Sequence, residues 1–317
     1  MSERVLVTGA TGFVGRHLCR RLSASGYHVR AALRSANASP EGAAETVVVG
    51  DITLQTDWST ALQDVDHVVH AAARAHLSRE ALAGPSQFNE TNAFGTQGLV
   101  AASARAQVKR FILLSSVKVN GEESDGDAYT PFDIPNPQDA YARSKWQAEQ
   151  FVAQVCAANA MKYVIVRPPL VYGAGVQANF LRLMRWVDRG YPLPFGAIRN
   201  KRSFVSVWNL ADLIESTLRN PVAVNRTWMV ADGEDLSTAE LVRRLAAAMG
   251  RHAHVFPVPE SALRFGGRLI GRRAEISRLC GSLRVNLAQT LSLLGWKPSI
   301  SVDAGLAKTI EWYCSVR

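Results

Sequence analysis

Gly9, Gly12 and Gly15, set between a short apolar run and an amphipathic one, constrain this chain more than any other feature. Residues 4–8 read as a buried strand and residues 12–25 as a helix, so the glycines fall in a strand-to-helix turn. Gly9 permits a tight turn. Gly12 lets an anion approach backbone amides at the positive end of the helix. Gly15 lets that helix pack closely on the strand. Such a turn, opening a βαβ unit, cradles a pyrophosphate. It makes Gly9, Thr11, Gly12, Phe13, Val14 and Gly15 the expected contacts of a dinucleotide.

The next 160 residues repeat the alternation. Strands are expected at 28–33, 46–49, 67–70, 110–115 and 163–167, with helices around 84–106 and 140–159. Strands alternating with helices of this length imply an α/β fold built on a doubly wound parallel sheet. Beyond Val171 the pattern loosens, with helices expected at 178–189, 209–219, 238–249, 287–294 and 302–313. The chain therefore divides into a dinucleotide-binding domain, 1–170, with 203–230 returning to it, and a smaller C-terminal α/β substrate domain made of 171–202 and 231–317.

The strand ends carry the candidate chemistry. NAD sites usually hold the ribose with an acid after the second strand, but here that strand ends Leu33-Arg34-Ser35. A guanidinium suits a 2′-phosphate, so Arg34 favours NADP(H), with NAD(H) as the alternative. Asp51 and Ile52 are placed to flank the adenine, and Ala71, Ala72 and Ala73 provide small residues beside the cofactor. Tyr141 and Lys145 lie at i and i+4, on one face of a helix. A nearby ammonium stabilises phenolate and is expected to draw the tyrosine pKa down toward neutrality. Such a tyrosine can exchange a proton with an alcohol or sugar oxygen. Ser116 ends the fifth strand, where its hydroxyl can hold the same oxygen.

These motifs together resemble the extended short-chain dehydrogenase/reductases, in the NAD-dependent epimerase/dehydratase branch that modifies nucleotide sugars. Besides Gly9-x-x-Gly12-x-x-Gly15, Ser116 and Tyr141-x-x-x-Lys145, the similarity includes Ser115-Ser116-Val-Lys-Val-Asn-Gly121, with Asn120 where the family carries tyrosine. It also includes Asn92-Ala-Phe-Gly-Thr96, Arg167-Pro-Pro-Leu-Val-Tyr-Gly173 and Arg202-Ser-Phe-Val-Ser-Val-Trp-Asn-Leu-Ala-Asp212, with Asn209 in place of an aspartate. The resemblance implies a Rossmann-type domain and Ser-Tyr-Lys catalysis by Ser116, Tyr141 and Lys145. It adds Asn92 and Pro168 to the cofactor contacts. It assigns Ser116, Asn179 and Arg202 to a nucleotide-diphosphate sugar, a UDP-sugar above others. It also implies a homodimer, with residues 92–106 and 140–159 packed against their mates.

Departures from sister patterns narrow the reaction. Val117-Lys118 stands where 4,6-dehydratases carry Asp-Glu, and Val117 stands where 3,5-epimerase/reductases carry cysteine. Two reactions remain. A 4-ketoreductase passes hydride from NADPH to C4 of a UDP-4-keto-hexose while Tyr141 gives the proton. A 4-epimerase of UDP-glucose or UDP-N-acetylglucosamine keeps NAD bound and returns the hydride to the other face. Arg34 leans the reading toward the ketoreductase. Lys118 is a basic group beside the site that can assist a keto substrate. A non-catalytic NADP-sensing protein is the remote alternative, disfavoured because Ser116, Tyr141 and Lys145 are all present.

Composition bounds the surroundings. The chain has 317 residues, a net charge of +9, 47% apolar and 20% charged residues. No run approaches the roughly 18–20 apolar residues of a membrane span, and the first apolar run, Val5-Leu6-Val7, is too short for a signal peptide. Cys19, Cys156, Cys280 and Cys314 are far apart, which suits neither a zinc site nor a disulfide framework. A reduced, cytoplasmic setting without metal follows. Residues 1–170 carry 16 basic and 16 acidic side chains, whereas 171–317 carry 20 and 11, the whole of the excess. It is densest from Arg243 to Arg284, where nine arginines face Glu260 and Glu275. Nucleic acid is not expected, since no binding motif accompanies the charge. Residues 262–279 invite a peripheral membrane contact, but Gly266, Gly267 and Gly271 should weaken a helix there and favour a substrate lid.

Overall fold

The computed structural model describes residues 2–75, 86–124, 126–269 and 271–317. Its strands, in chain order, are β1 (Arg4–Thr8), β2 (His28–Leu33), β3 (Glu45–Val48), β4 (His67–His70), β5 (Arg110–Leu114), β6 (Lys162–Arg167), β7 (Leu170–Tyr172), β8 (Arg202–Ser206), β9 (Arg226–Met229) and β10 (Asp235–Leu236). Seven of them form one sheet in the order β3-β2-β1-β4-β5-β6-β9, and every neighbouring pair is parallel. This is the Rossmann-type doubly wound sheet expected from the alternation. The order reverses at β1, which has β2 on one side and β4 on the other, so the crevice for a ligand opens beside the glycine turn.

The helices are α1 (Phe13–Ala24), α2 (Ser86–Phe88), α3 (Gly95–Arg105), α4 (Ala140–Ala157), α5 (Ala178–Asp188), α6 (Val207–Arg219), α7 (Thr238–Ala248), α8 (Glu260–Leu269), α9 (Arg273–Cys280), α10 (Ala288–Ser292) and α11 (Val302–Ser315). A π-helical turn, Asn89–Phe94, joins α2 to α3. The expected start of that helix, Gly84, lies outside the described residues.

Alternating strand residues feed two cores. Val5, Val7, Ile112, Val164 and Val166 pack with Leu18 and Leu22 of α1 and Leu210, Leu213 and Ile214 of α6. Leu6, Val68, Phe111, Leu113 and Ile165 pack on the other face with Leu99 and Val100 of α3 and Ala148 and Val152 of α4. Burial of the strands on both faces explains why they read as continuous apolar runs.

The second, smaller sheet runs β10-β8-β7. Its core joins Tyr172, Phe180, Met184, Phe204, Leu245 and Leu306. The segment 203–230 is expected to return to the first domain, and Val205 of β8 does pack into the core of the large sheet with Val5, Leu210 and Leu213. In hydrogen bonding β8 belongs to the small sheet, where it pairs with β7 and β10. The return is completed by α6 against α1 and by β9 against β6.

The basic segment departs from expectation. Gly266 and Gly267 do not interrupt α8, and the break falls at Gly271, with φ +68°. A Cβ on Gly267 would come 2.6 Å from Ile276 Cγ1, so that glycine lets α8 lie close on α9. Phe265 and Leu269 then face outward, 64% and 73% exposed. Ile270 lies outside the described residues. Among the described residues no helix is long and apolar enough to cross a membrane. No group of three or more His, Cys, Asp or Glu there could hold a metal ion.

Candidate active site

The glycine turn is built backbone against backbone. Gly9 has φ +68° and accepts a hydrogen bond from Gly12 N at 2.9 Å. A Cβ on Gly9 would sit 2.7 Å from Ala72 N, so no side chain fits between β1 and the residues after β4. Gly12 is the N-cap of α1 and offers no side-chain acceptor, which leaves the first-turn amides available to a ligand. Thr11 and Gly12 are exposed there, while Phe13 and Val14 are half-buried. Ala71 and Ala72 are half-buried and Ala73 is exposed alongside. These residues fit a dinucleotide pyrophosphate.

The rim changes the expectation for Arg34. Its Nε lies 2.8 Å from Asp51 Oδ1, and Nη2 donates to Asp51 Oδ2 at 3.3 Å. The guanidinium that was to greet a 2′-phosphate faces a carboxylate instead, and the preference for NADP(H) loses its support. The pairing spans 17 positions in sequence and two strand ends, which is why the strand reading missed it. Ile52 is half-buried and packs under the helix, where a Cβ on Gly95 would meet its Cγ2.

Asn92 is a strut. Its Oδ1 accepts from Arg74 N at 2.8 Å, and its Nδ2 donates to Arg74 O and to Ser144 Oγ, each at 3.0 Å. Ser144 Oγ donates in turn to Tyr141 O at 2.7 Å, so the loop after β4 is tied to the start of α4. Buried His70 extends the tie: it bonds Thr8 Oγ1 at 2.7 Å and Thr96 Oγ1 at 2.9 Å. Pro168 is buried beyond β6, and its carbonyl accepts from Val117 N at 3.0 Å.

Ser116, after the end of β5, and Tyr141 are brought together, and Lys145 follows Tyr141 one turn along α4. The Tyr141 phenol and the Ser116 hydroxyl are hydrogen-bonding neighbours. The ring of Phe88 meets Tyr141 edge-on, with centroids 6.2 Å apart. Burial pushes the phenol up to about 12, with the Ser116 hydrogen bond working against it and Asp139 adding to it. The expected descent toward neutrality is therefore not found, because desolvation of phenolate outweighs the hydrogen bond. Lys145 is fully buried, and burial pulls its ammonium down to about 8 against the opposing charge of Glu149.

Sequence reasoning missed what stands behind Lys145. Glu149 is buried and makes a two-pronged ion pair with Arg167, Nε to Oε1 at 2.9 Å and Nη2 to Oε2 at 2.5 Å. Ser115 Oγ also donates to Glu149, and Arg167 Nη1 donates to Asn120 Oδ1 at 3.0 Å. The spacing Tyr141, Lys145, Glu149 on one helix face was the available signal. Asn120, the departure from the family tyrosine, completes this network.

The substrate side is less direct. Arg202 is half-buried, and its Nη1 donates to Arg278 O and Gly281 O at 2.9 Å each, capping the end of α9. Asn179 is exposed, accepts from Arg182 Nη2 at 3.1 Å, and is not the cap of α5, which is Gln177. Lys118 is not free for a keto group: its Nζ is held by Asp139 and Glu122.

Comparison with known proteins agrees with this geometry. The sequence pattern of the NAD dependent epimerase/dehydratase family matches residues 5–231. A UDP-glucose 4-epimerase of Vibrio cholerae is 42% identical over 315 residues, covering 98% of this chain and 95% of its own. A 3-beta-hydroxysteroid dehydrogenase of Mycolicibacterium neoaurum is 28% identical, over 98% of this chain and 91% of its own. Among solved structures, MoeE5 in complex with UDP-glucuronic acid and NAD superposes with a TM-score of 0.80 at 25% identity, over 99% of this chain and 100% of its own. With its family pattern matched across both the glycine turn and the serine, tyrosine and lysine, the chain belongs to the NAD dependent epimerase/dehydratase family.

Proposed function

We propose that this chain is a UDP-hexose 4-epimerase that works with NAD. The observation that carries the reading is the 42% identity, over nearly the full length of both chains, to a UDP-glucose 4-epimerase. The ketoreductase reading leaned on Arg34, and the pairing of Arg34 with Asp51 removes that support. Bound NAD supplies the acceptor and later the donor of one hydride, with no net oxidation or reduction.

The chain's own residues handle the proton. Ser116 holds the sugar 4-oxygen, and the Tyr141 phenolate takes the 4-hydroxyl proton as the C4 hydride departs. The keto sugar turns over, the hydride returns to its other face, and Tyr141 gives the proton back. A buried phenolate needs a cation, and Lys145, one helical turn away, provides it. Arg202, beside the end of α9, and Asn179, at the start of α5, are assigned to the diphosphate. The same reading keeps 1–170 for the cofactor and the C-terminal part for the sugar nucleotide. It also keeps a homodimer across residues 92–106 and 140–159.

The test is turnover of UDP-glucose, and separately UDP-N-acetylglucosamine, by purified protein supplied with NAD alone. Interconversion of the 4-epimers is expected, and Tyr141→Phe should lower kcat by about 10²–10⁴-fold while NAD stays bound. Stoichiometric consumption of NADPH with a keto sugar, and no epimerisation, would return the reading to the ketoreductase.

A further inference from the structure

We propose that Lys118 is a positioning residue for Tyr141: its ammonium neutralises Asp139, two residues before the tyrosine, and so allows the phenol to ionise. The inference rests on the acid–base reading of Tyr141 above. Lys118 Nζ lies 2.5 Å from Asp139 Oδ2 and 2.6 Å from Glu122 Oε1. The backbone N–H of Lys118 donates to Ser116 Oγ at 3.2 Å. Asp139 is at the same time the N-cap of α4, its Oδ1 accepting from Ala142 N at 2.7 Å. One residue thus straps the loop that carries the hydroxyl to the helix that carries the phenol.

The charges around Tyr141 explain why the strap matters. On α4 and the turn before it stand Asp139, Lys145 and exposed Arg143, whose Nη1 is turned to Gln138 O. From the loop after β5 come Lys118 and Glu122. Behind Lys145 lie Glu149, paired with Arg167, and His70, held neutral by burial at a pKa of about 3. Phe88, on the α2 side, brings no charge. Asp139 is the acid whose charge opposes phenolate at Tyr141; burial raises its own carboxyl, but hydrogen bonds from Lys118 and Ala142 and the Lys118 charge outweigh that and leave it below the usual range, hence charged. Lys118 offsets that charge from outside the helix.

The experiment places 3,5-difluorotyrosine at position 141, whose fluorines bring the phenol into a workable pH range, and follows its ¹⁹F signal in the NAD-bound protein. Lys118→Met should raise the titration midpoint by about one pH unit. Asp139→Asn, whose amide keeps the helix cap, should lower it, and the double variant should return close to the parent. A purely structural strap would not move the two single variants in opposite directions. Shifts of the same sign, or no shift in Lys118→Met, overturn the proposal. The titration needs no sugar, so a protein that fails to epimerise UDP-hexoses sinks the activity and leaves this test standing. If the activity holds, the limb of kcat/KM that reports Tyr141 should shift in the same directions.

Discussion

Two glycine contacts, one in each half of the molecule, show how differently the halves are built. At the glycine turn the neighbour of each missing Cβ is backbone: Gly15 lies against Gly9 and Ala10. In the basic α8–α9 pair the neighbour of Gly267 is a side chain, that of Ile276. Backbone fixed between strand and helix cannot yield. A half-buried isoleucine at the edge of a core can. The N-terminal half is therefore rigid at the turn proposed to hold a pyrophosphate, and the α8–α9 pair is adjustable.

Gly15→Ala is the strongest way to break this comparison. The new methyl would run into Gly9 O and lie 2.8 Å from Ala10 Cα. Overpacking of a core costs about 1–3 kcal/mol when side chains can move, and here none can. A loss at or above the top of that range is expected in urea unfolding, with NAD no longer retained through purification. An unchanged midpoint with full NAD would show that the turn has slack.

His70 sharpens the same point through pH. It lies in the floor of the cofactor half, and burial, helped by the charge of Lys145, pushes it down to about 3. The unfolded chain takes up this proton near the ordinary value of 6.5 and the folded chain does not. Stability tied to His70 is thus fully present above about 6.5 and is lost as pH falls toward 3, by up to about 1.4 kcal/mol per pH unit. His70→Gln should flatten the decline measured by urea unfolding between those limits. A decline as steep as the parent's would mean that the ring is not a buried neutral link between Thr8 and Thr96.

Legibility followed the range of the interactions. The parallel sheet and the contact of Ser116 with Tyr141 were readable because they depend on local periodicity and on strand ends, which a doubly wound fold gathers at one edge. The pairing of Arg34 with Asp51 was not, since it joins two loops whose separation only the folded sheet fixes. Lys118 was visible as a charge near the site but not as one already held by two carboxylates. Likewise nothing in the residues of β8 says which sheet it joins. The glycines of α8 misled for a related reason. Propensity counts them as weak points, whereas packing uses Gly267 to bring α9 close.

That last contact gives the smallest effect and the finest test of the comparison. In Gly267→Ala the methyl would sit 2.6 Å from Ile276 Cγ1 and 3.1 Å from its Cβ, so Ile276 must move. Against that cost stands the gain of replacing glycine by alanine within a helix, roughly 0.5–1 kcal/mol. The two should nearly cancel, leaving the urea midpoint close to the parent's. Ile276→Ala removes the obstructing atoms at its own cost in burial, and in that background Gly267→Ala should be stabilising by about the helix gain alone. The difference between the two backgrounds measures how far the side chain yields. A penalty in the parent background as large as that of Gly15→Ala would mean that α8 and α9 are locked as firmly as the glycine turn, and the contrast between the halves would fail.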